Sequence, residues 1–412
     1  MNSKLLRLIS FLLVSLMIIT SFASCTGTNV NDDQTEDQSQ SDVTTEIEDT
    51  NEETSEELIT DAEESTEPIE EDTTVTTDEV TEEETEEETT AEYDDGVYSR
   101  LTGLPTTAEI YNKRPVGVMI NNLKKSLPQW GLSEAGVIYE CMVEGYVTRL
   151  YAIFDDISNK GVIGSVRSAR EYFMDFAANH NALFVHAGGS SEAYSQIKSR
   201  YINNLDFVNM YDLNKYWYRD ADRRQNMGYE HSLMTTGELI AAAIEYKGYN
   251  TEIPESFESS FNFYDYTSGE TKDMSGAGDA NHVVVKYHSI HAPEFIYNSE
   301  TGYYTRTQYN GIVHVDAKDE EPLEFTNVLI LSLKHTDLND ELLHISVDST
   351  GSGQGYYITG GKYVKILWEK TSQDTPMKLY CEDGTPLVMN CGKTFVNVVS
   401  PAVFSRCELN SK

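Results

Sequence analysis

Residues 26–95 contain no lysine or arginine, yet carry 30 aspartates and glutamates. They also lack a sustained apolar period: Val43, Ile47, Leu58, Ile69, Val75 and Val80 follow neither helix nor strand spacing. Such a stretch buries too little surface to offset its ordering entropy, so a solvated spacer is expected. A neutral coil of this length would average roughly 45 Å end to end, and self-repulsion extends it further. The formal net charge is −39, and residues 96–412 still hold 39 acidic against 28 basic residues. That balance excludes nucleic-acid binding through a diffuse basic surface.

Cysteine is scarce as well. There are five, with no CxxC, and Cys141, Cys381, Cys391 and Cys407 stand outside metal-ligand spacing. Cys141 sits in an apolar strand pattern and reads as a buried free thiol. In an exported protein, a pair among Cys381, Cys391 and Cys407 could form a disulfide. His288, His291 and His314 with Asp316 do not make a metal site if 282–291 is extended. No metal and no cofactor are expected. The turn Ala187-Gly188-Gly189-Ser190-Ser191 is neither a phosphate loop, since it lacks GK[ST], nor a nucleophile elbow, since it lacks GxSxG.

No apolar run reaches the roughly 20 residues that a bilayer-spanning helix needs. The longest candidate, Leu8 to Ala23, follows Lys4 and Arg7 and ends in Ser24-Cys25. A basic start, an apolar middle and small residues before a cut site read as a secretory signal. Phe22-Ala23-Ser24-Cys25 resembles the lipobox of bacterial lipoproteins, with Phe22 in place of the usual leucine. That resemblance implies an acylated Cys25 and a mature protein held on the extracytoplasmic face of the cell membrane. Two acyl chains suffice for stable anchoring where one is marginal. The expected organisation is a signal peptide (1–24), lipidated Cys25 with its acidic spacer (25–96), and two folded parts (97–255 and 256–412).

The first folded part reads as α/β with a mixed sheet. Val116–Ile120 ends at Asn121-Asn122, and Val137–Glu144 with Val147–Phe154 flank Gly145-Tyr146 as a hairpin. With a two-residue turn, strand alternation puts Glu140, Met142 and Glu144 on one face with Arg149. Ser165 reads as an N-cap, which places Arg167 and Arg170 in the first helical turn, beside Ser168. Cations there oppose the helix dipole, so a compensating anion is expected, from a ligand or a protein carboxylate. Ala182–His186 reads as a strand leading into Gly188-Gly189-Ser190 and a helix over 192–200, where open α/β sheets place ligands. Arg219, Asp220 and Arg223, with His231 after them, extend the candidate anion site.

The second part reads as predominantly β, which makes the whole α+β. Strand patterns recur at His282–Tyr287, Tyr303–Gln308, Val328–Leu333, Tyr363–Trp368 and Phe395–Val399. Gly351-Ser352-Gly353-Gln354-Gly355 reads as turns or bulges.

Several motifs in order resemble one known family. They are Arg114-Pro115, Pro128-Gln129-Trp130-Gly131-Leu132, Tyr139-Glu140 through Glu144-Gly145, Thr148-Arg149, Val166-Arg167-Ser168-Ala169-Arg170, His186-Ala187-Gly188-Gly189-Ser190, and Arg219-Asp220 with His231. Together they are similar to the YerB-type bacterial lipoproteins over roughly residues 100–410. The resemblance implies an N-terminal α/β part, a C-terminal β-rich part and no established activity. A looser likeness to LytR-CpsA-Psr phosphotransferases lacks the expected Arg-Asp, which here is Arg167-Ser168.

Two readings follow. One is a non-catalytic lipoprotein that binds an anionic envelope ligand, a cell-wall glycopolymer, peptidoglycan or an envelope protein. Its binding residues would be Arg149, Arg167, Ser168, Arg170, His186, Gly188, Gly189, Ser190, Arg219, Asp220 and Arg223. The other is a wall-polymer phosphotransferase or hydrolase using Glu140, Glu144, His186 or His231. Arginines closed onto carboxylates would favour a structural network over either.

Overall fold

The computed structural model describes residues 93–410. The signal peptide, Cys25 and nearly all of the acidic spacer lie outside the described residues. Among the described residues no helix is long and apolar enough to cross a membrane.

The strands that organise the fold are β1 (Val116–Asn121), β2 (Val137–Met142), β3 (Thr148–Phe154), β4 (Leu183–His186) and β5 (Asn204–Asp206) in the first part. Helices α1 (Glu171–Ala178), α2 (Ser191–Ser199), α3 (Ala221–Asn226) and α4 (Gly237–Lys247) belong with them. The second part adds β6 (His282–Val284), β7 (Glu294–Asn298), β8 (Tyr303–Gln308), β9 (Ile312–Val313) and β10 (Glu324–Phe325). It continues with β11 (Asn327–Ser332), β12 (Gly351–Thr359), β13 (Lys362–Lys370), β14 (Lys378–Cys381), β15 (Thr394–Val399) and a short α5 (Pro401–Phe404).

One mixed sheet runs through both parts in the order β14-β13-β12-β11-β15-β2-β3-β1-β4-β5, with Gly278–Asp279 pairing at β13. The last strand, β15, lies parallel to both β11 and β2. The line between 255 and 256 therefore separates two stretches of sequence that share one sheet. A smaller antiparallel sheet, β6-β7-β8-β9 with β10 on β8, packs on one face. The architecture is α+β.

Strand alternation sorts the core onto two faces. Val118, Ile120, Ile138, Leu150 and Ala152 face the small sheet (Val283, Phe295, Tyr304 and Phe325) and helix α4. Met119, Tyr139, Cys141, Tyr151 and Ile153 face the aromatic side of α1, Tyr172, Phe173 and Phe176. Burying each such side chain contributes roughly 1.5–3 kcal/mol.

Three local expectations need correction. The hairpin between β2 and β3 is not a two-residue turn: Val143 donates to the Val147 carbonyl, and residues 144–146 make a single helical turn. Cys141 consequently stands opposite Arg149, and Glu140 opposite Leu150. A one-residue change of register sends every side chain to the other face, so Arg149 and Glu140 lie on opposite sides of the sheet. Second, the helix after Ser165 starts only at Glu171, with Arg170 at its N-cap position. Residues 165–169 are instead an extended insert between the ends of β1 and β4: Arg167 N–H donates to Met119 O, and Ala187 N–H to Arg167 O. Third, Gly351 to Gly355 belong to β12 rather than to turns. Glycine is needed there for packing, since a Cβ on Gly353 would meet Trp368 Cε2 at 2.6 Å. Cys141, Cys381, Cys391 and Cys407 are all free thiols.

Candidate functional site

The sequence candidates divide into three groups, because sheet alternation and the 165–169 insert separate them.

The first group lies on the α1 face. Glu144 leaves the end of β2 and sits between two guanidinium groups. It pairs with Arg149, and Arg170 donates from Nε to Glu144 Oε2 at 2.9 Å and from Nη2 to Oε1 at 2.7 Å. The remaining donors go to backbone: Arg149 Nη1 to Ser168 O at 2.9 Å, and Arg170 Nη1 to Ala169 O at 2.6 Å. Burial pushes the Glu144 carboxyl up, but Arg149 and Arg170 outweigh it and hold it below the usual range. For Arg149, burial and the neighbouring Arg170 act downward against Glu144. Such a closed buried cluster orders the β2–β3 turn against the insert.

The Gly188-Gly189-Ser190 turn is similarly engaged. Gly188 N–H donates to Asp206 Oδ1 at 2.9 Å, and Ser190 Oγ caps α2 by accepting from Ala193 N–H. Gly189 bridges to Ala169. His186 sets Nδ1 on the Gly188 carbonyl at 2.7 Å and Nε2 on Asn204 Oδ1 at 3.0 Å, so neither nitrogen is left for proton transfer. Asp220 caps α3, and Arg223 donates to the carbonyls of Ser126, Pro128 and His231. Arg223 thus ties the 126–128 loop to the segment carrying His231.

The second group is open. Among the described residues, Arg167 pairs only with Glu230, which is 66% exposed, at 3.0 Å. Arg219 lies 3.9 Å over the Tyr229 ring and donates to the Tyr229 carbonyl. The Arg224 guanidinium lies 5.5 Å from the centre of the same ring. His231 stands at the end of β1: Asn121 Oδ1 accepts from Leu123 N–H, which turns Asn121 Nδ2 toward His231 Nδ1 at 2.8 Å. Nδ1 must therefore accept, and the neutral ring carries its proton on Nε2. Burial and Arg167 lower the His231 pKa, with Lys125 and Arg223 acting the same way and Glu230 against them. The result is a cationic rim whose ring nitrogen is a donor.

The third group is a buried network at the seam of the two parts, and the sequence reading missed most of it. Glu140 is fully buried. Its Oε2 accepts from Arg306 Nη2 at 2.6 Å, and its Oε1 from His291 Nε2 at 2.6 Å, Thr148 Oγ1 at 2.7 Å and Asn122 Nδ2 at 3.0 Å. Burial pushes this carboxyl up, yet Arg306 and His291 outweigh it and bring it to about 2. Both of its oxygens are held by donors and its pKa is lowered, so it is unsuited to be a general base.

Arginine only donates, which fixes the rest of the chain. Arg306 Nη1 donates to His314 Nδ1 at 2.8 Å, so His314 donates from Nε2 to Gln129 Oε1 at 3.0 Å. Gln129 Nε2 then donates to Asn121 O and Asn122 Oδ1, both at 3.0 Å. Asp316 is not a ligand here: it accepts from Gly131 and Ser133 and shapes their loop. No metal-binding cluster occurs among the described residues. One signal for this network was legible. Tyr304, Arg306 and Gln308 share the inward register of an alternating strand, and an arginine there requires a buried anion.

Comparison with known proteins agrees with this architecture. Residues 101–250 match the N-terminal domain, and residues 283–396 the C-terminal domain, of a protein family of unknown function, DUF3048. The two matched regions correspond to the two parts of the chain that share the mixed sheet. The chain belongs to the DUF3048 family. It is 31% identical over 306 residues to "Putative lipoprotein YerB" of Bacillus subtilis (strain 168), covering 73% of this chain and 85% of that one. The crystal structure of YerB protein from Bacillus subtilis matches with a TM-score of 0.65 at 26% identity, covering 76% of this chain and all of that one.

Proposed function

We propose that this chain is a lipid-anchored lipoprotein of the extracytoplasmic membrane face, whose folded part binds an anionic group of the cell envelope at the rim around His231. Support for the anchor comes from the name of the YerB relative and from the signal-like run ending at Cys25. Support for binding rests on one observation. Asn121 holds His231 with its donor nitrogen lacking a partner among the described residues, beside Arg167, whose own carboxylate partner is exposed. A donor nitrogen among cations suits an anion; a base is what an enzyme would need there. Of the other acid–base candidates, Glu140, Glu144 and His186 have their polar atoms engaged in the fold.

The anchor is tested by labelled palmitate incorporation, which Cys25→Ser should abolish. Binding is tested by thermal shift of the full chain in detergent against phosphate, pyrophosphate and wall-polymer fragments. Ligand at about 100 times its dissociation constant adds roughly 2.7 kcal/mol. Arg167→Gln should remove that shift without lowering the ligand-free midpoint; equal shifts in both proteins would overturn the rim as the site.

A further inference from the structure

A cavity of about 300 Å³ opens between the 124–129 loop and the β8–β9 hairpin, on the outer side of the buried network. Its walls include Leu127 and Ile312, and Lys124 lines it as the one exposed cation there. Gln129, Gln308 and His314 also line it, and these three are at most 1% exposed. The polar atoms of Gln129 and His314 are spent on each other, on Arg306 and on the β1 end. Gln308 differs. Its Oε1 accepts from Arg306 Nη1 at 2.9 Å, which turns its amide nitrogen the other way, and that buried Nε2 has no partner among the described residues.

We infer that this cavity is a binding site for a small N-acylated carboxylate of N-acyl amino acid size. The acyl carbonyl oxygen accepts from Gln308 Nε2, the apolar body lies between Leu127 and Ile312, and the carboxylate meets Lys124. An orphaned buried donor selects a ligand with an acceptor and penalises one without it. The size and mixed lining are those of small-molecule sites. Arg306 makes the donor directional, because the glutamine oxygen is committed to it. The site is separate from the rim at His231 and stands or falls independently of it.

The experiment is saturation-transfer NMR with calorimetry on the full chain in detergent, using N-acetyl-leucine as the probe. Free leucine, which lacks the acyl carbonyl, and N-acetyl-leucine amide, which lacks the carboxylate, are the two comparison ligands. Each should bind at least tenfold more weakly than the probe. Gln308→Glu keeps an oxygen for Arg306 and replaces the donor with an acceptor, so it should abolish probe binding. Val313→Trp, at an exposed edge-strand position, should block the cavity with no effect on folding. Arg167→Gln should leave probe binding unchanged, which separates this site from the rim. Absence of probe binding to the wild type at millimolar concentration overturns the proposal, and so does equal binding by both cavity variants.

Discussion

Glu140 and Arg306 stand 166 residues apart in sequence, yet Arg306 Nη2 lies 2.6 Å from Glu140 Oε2 with both side chains fully buried. One comes from the strand shared with β15, the other from the sheet packed over it. Their pairing is a fully buried electrostatic bond between the two family-defined parts, and His291 completes it from the same side as Arg306.

Breaking that pair from one side should cost more than removing it whole. Arg306→Met leaves a buried carboxylate without its main counter-charge, which costs about 3–5 kcal/mol. Glu140→Gln combined with Arg306→Met should recover part of that loss. Urea unfolding midpoints of the single and double variants measure the difference, and a double variant as unstable as the sum of the singles would contradict the account.

Glu144 should behave as the keystone of the opposite face. Glu144→Gln leaves Arg149 and Arg170 facing each other without a shared anion, for an expected loss of about 2–3 kcal/mol. Glu109→Gln, which removes an exposed i,i+4 pair with Lys113, should cost less than about 0.5 kcal/mol. Thermal midpoints of the two variants, compared in one buffer, check the contrast.

Stability should fall as pH drops below about 6.5. Burial brings His180 down to about 3 and His335 to about 4, so the unfolded chain takes up protons before the folded one does. Between those folded values and the ordinary histidine value of 6.5, each histidine contributes stability that rises with pH by roughly 1.4 kcal/mol per unit. Asp155, pushed up to about 6 by burial, opposes one of them between the ordinary aspartate value of 3.8 and about 6. Urea midpoints at pH 7.5 and 5.5 should therefore differ in favour of pH 7.5, and His180→Phe should flatten the slope.

Anion binding at the rim should strengthen in acid. The His231 pKa is lowered by burial and Arg167, so the ring is neutral at pH 7 and gains a charge as pH falls below the usual histidine range. Phosphate affinity followed from pH 7.5 to 5 should rise in the wild type. His231→Gln should keep part of the neutral-pH affinity and lose the acid increase; an unchanged profile in that variant would place the titrating group elsewhere.

The strands were legible to different degrees for different physical reasons. Val116–Asn121 and Thr394–Val399 are mostly apolar because each is a central strand buried on both faces. Helix Ser191–Ser199 announces itself through Ser190 and its periodicity. The Glu144-Gly145-Tyr146 turn misled because its length, unlike its existence, depends on two positive-φ residues, Gly145 and Tyr146. That one residue decided which face Arg149 occupies, and with it which carboxylate Arg149 meets.

Composition and local pattern by themselves determined the acidic stretch without basic residues, the signal-like start, the α+β class, the family motifs and the residues dense in charge. Only the tertiary structure decided which charges are spent and which remain available. Arg149, Arg170 and Arg223 look like binding groups in sequence and are closed onto Glu144 or onto backbone carbonyls; Arg167, three residues from Arg170, is left with an exposed partner. The physical reason is that an unpaired charge is costly only once it is buried. Burial is set by sheet register and by the strand β15 returning from the far end of the chain, neither of which is a property of neighbouring residues.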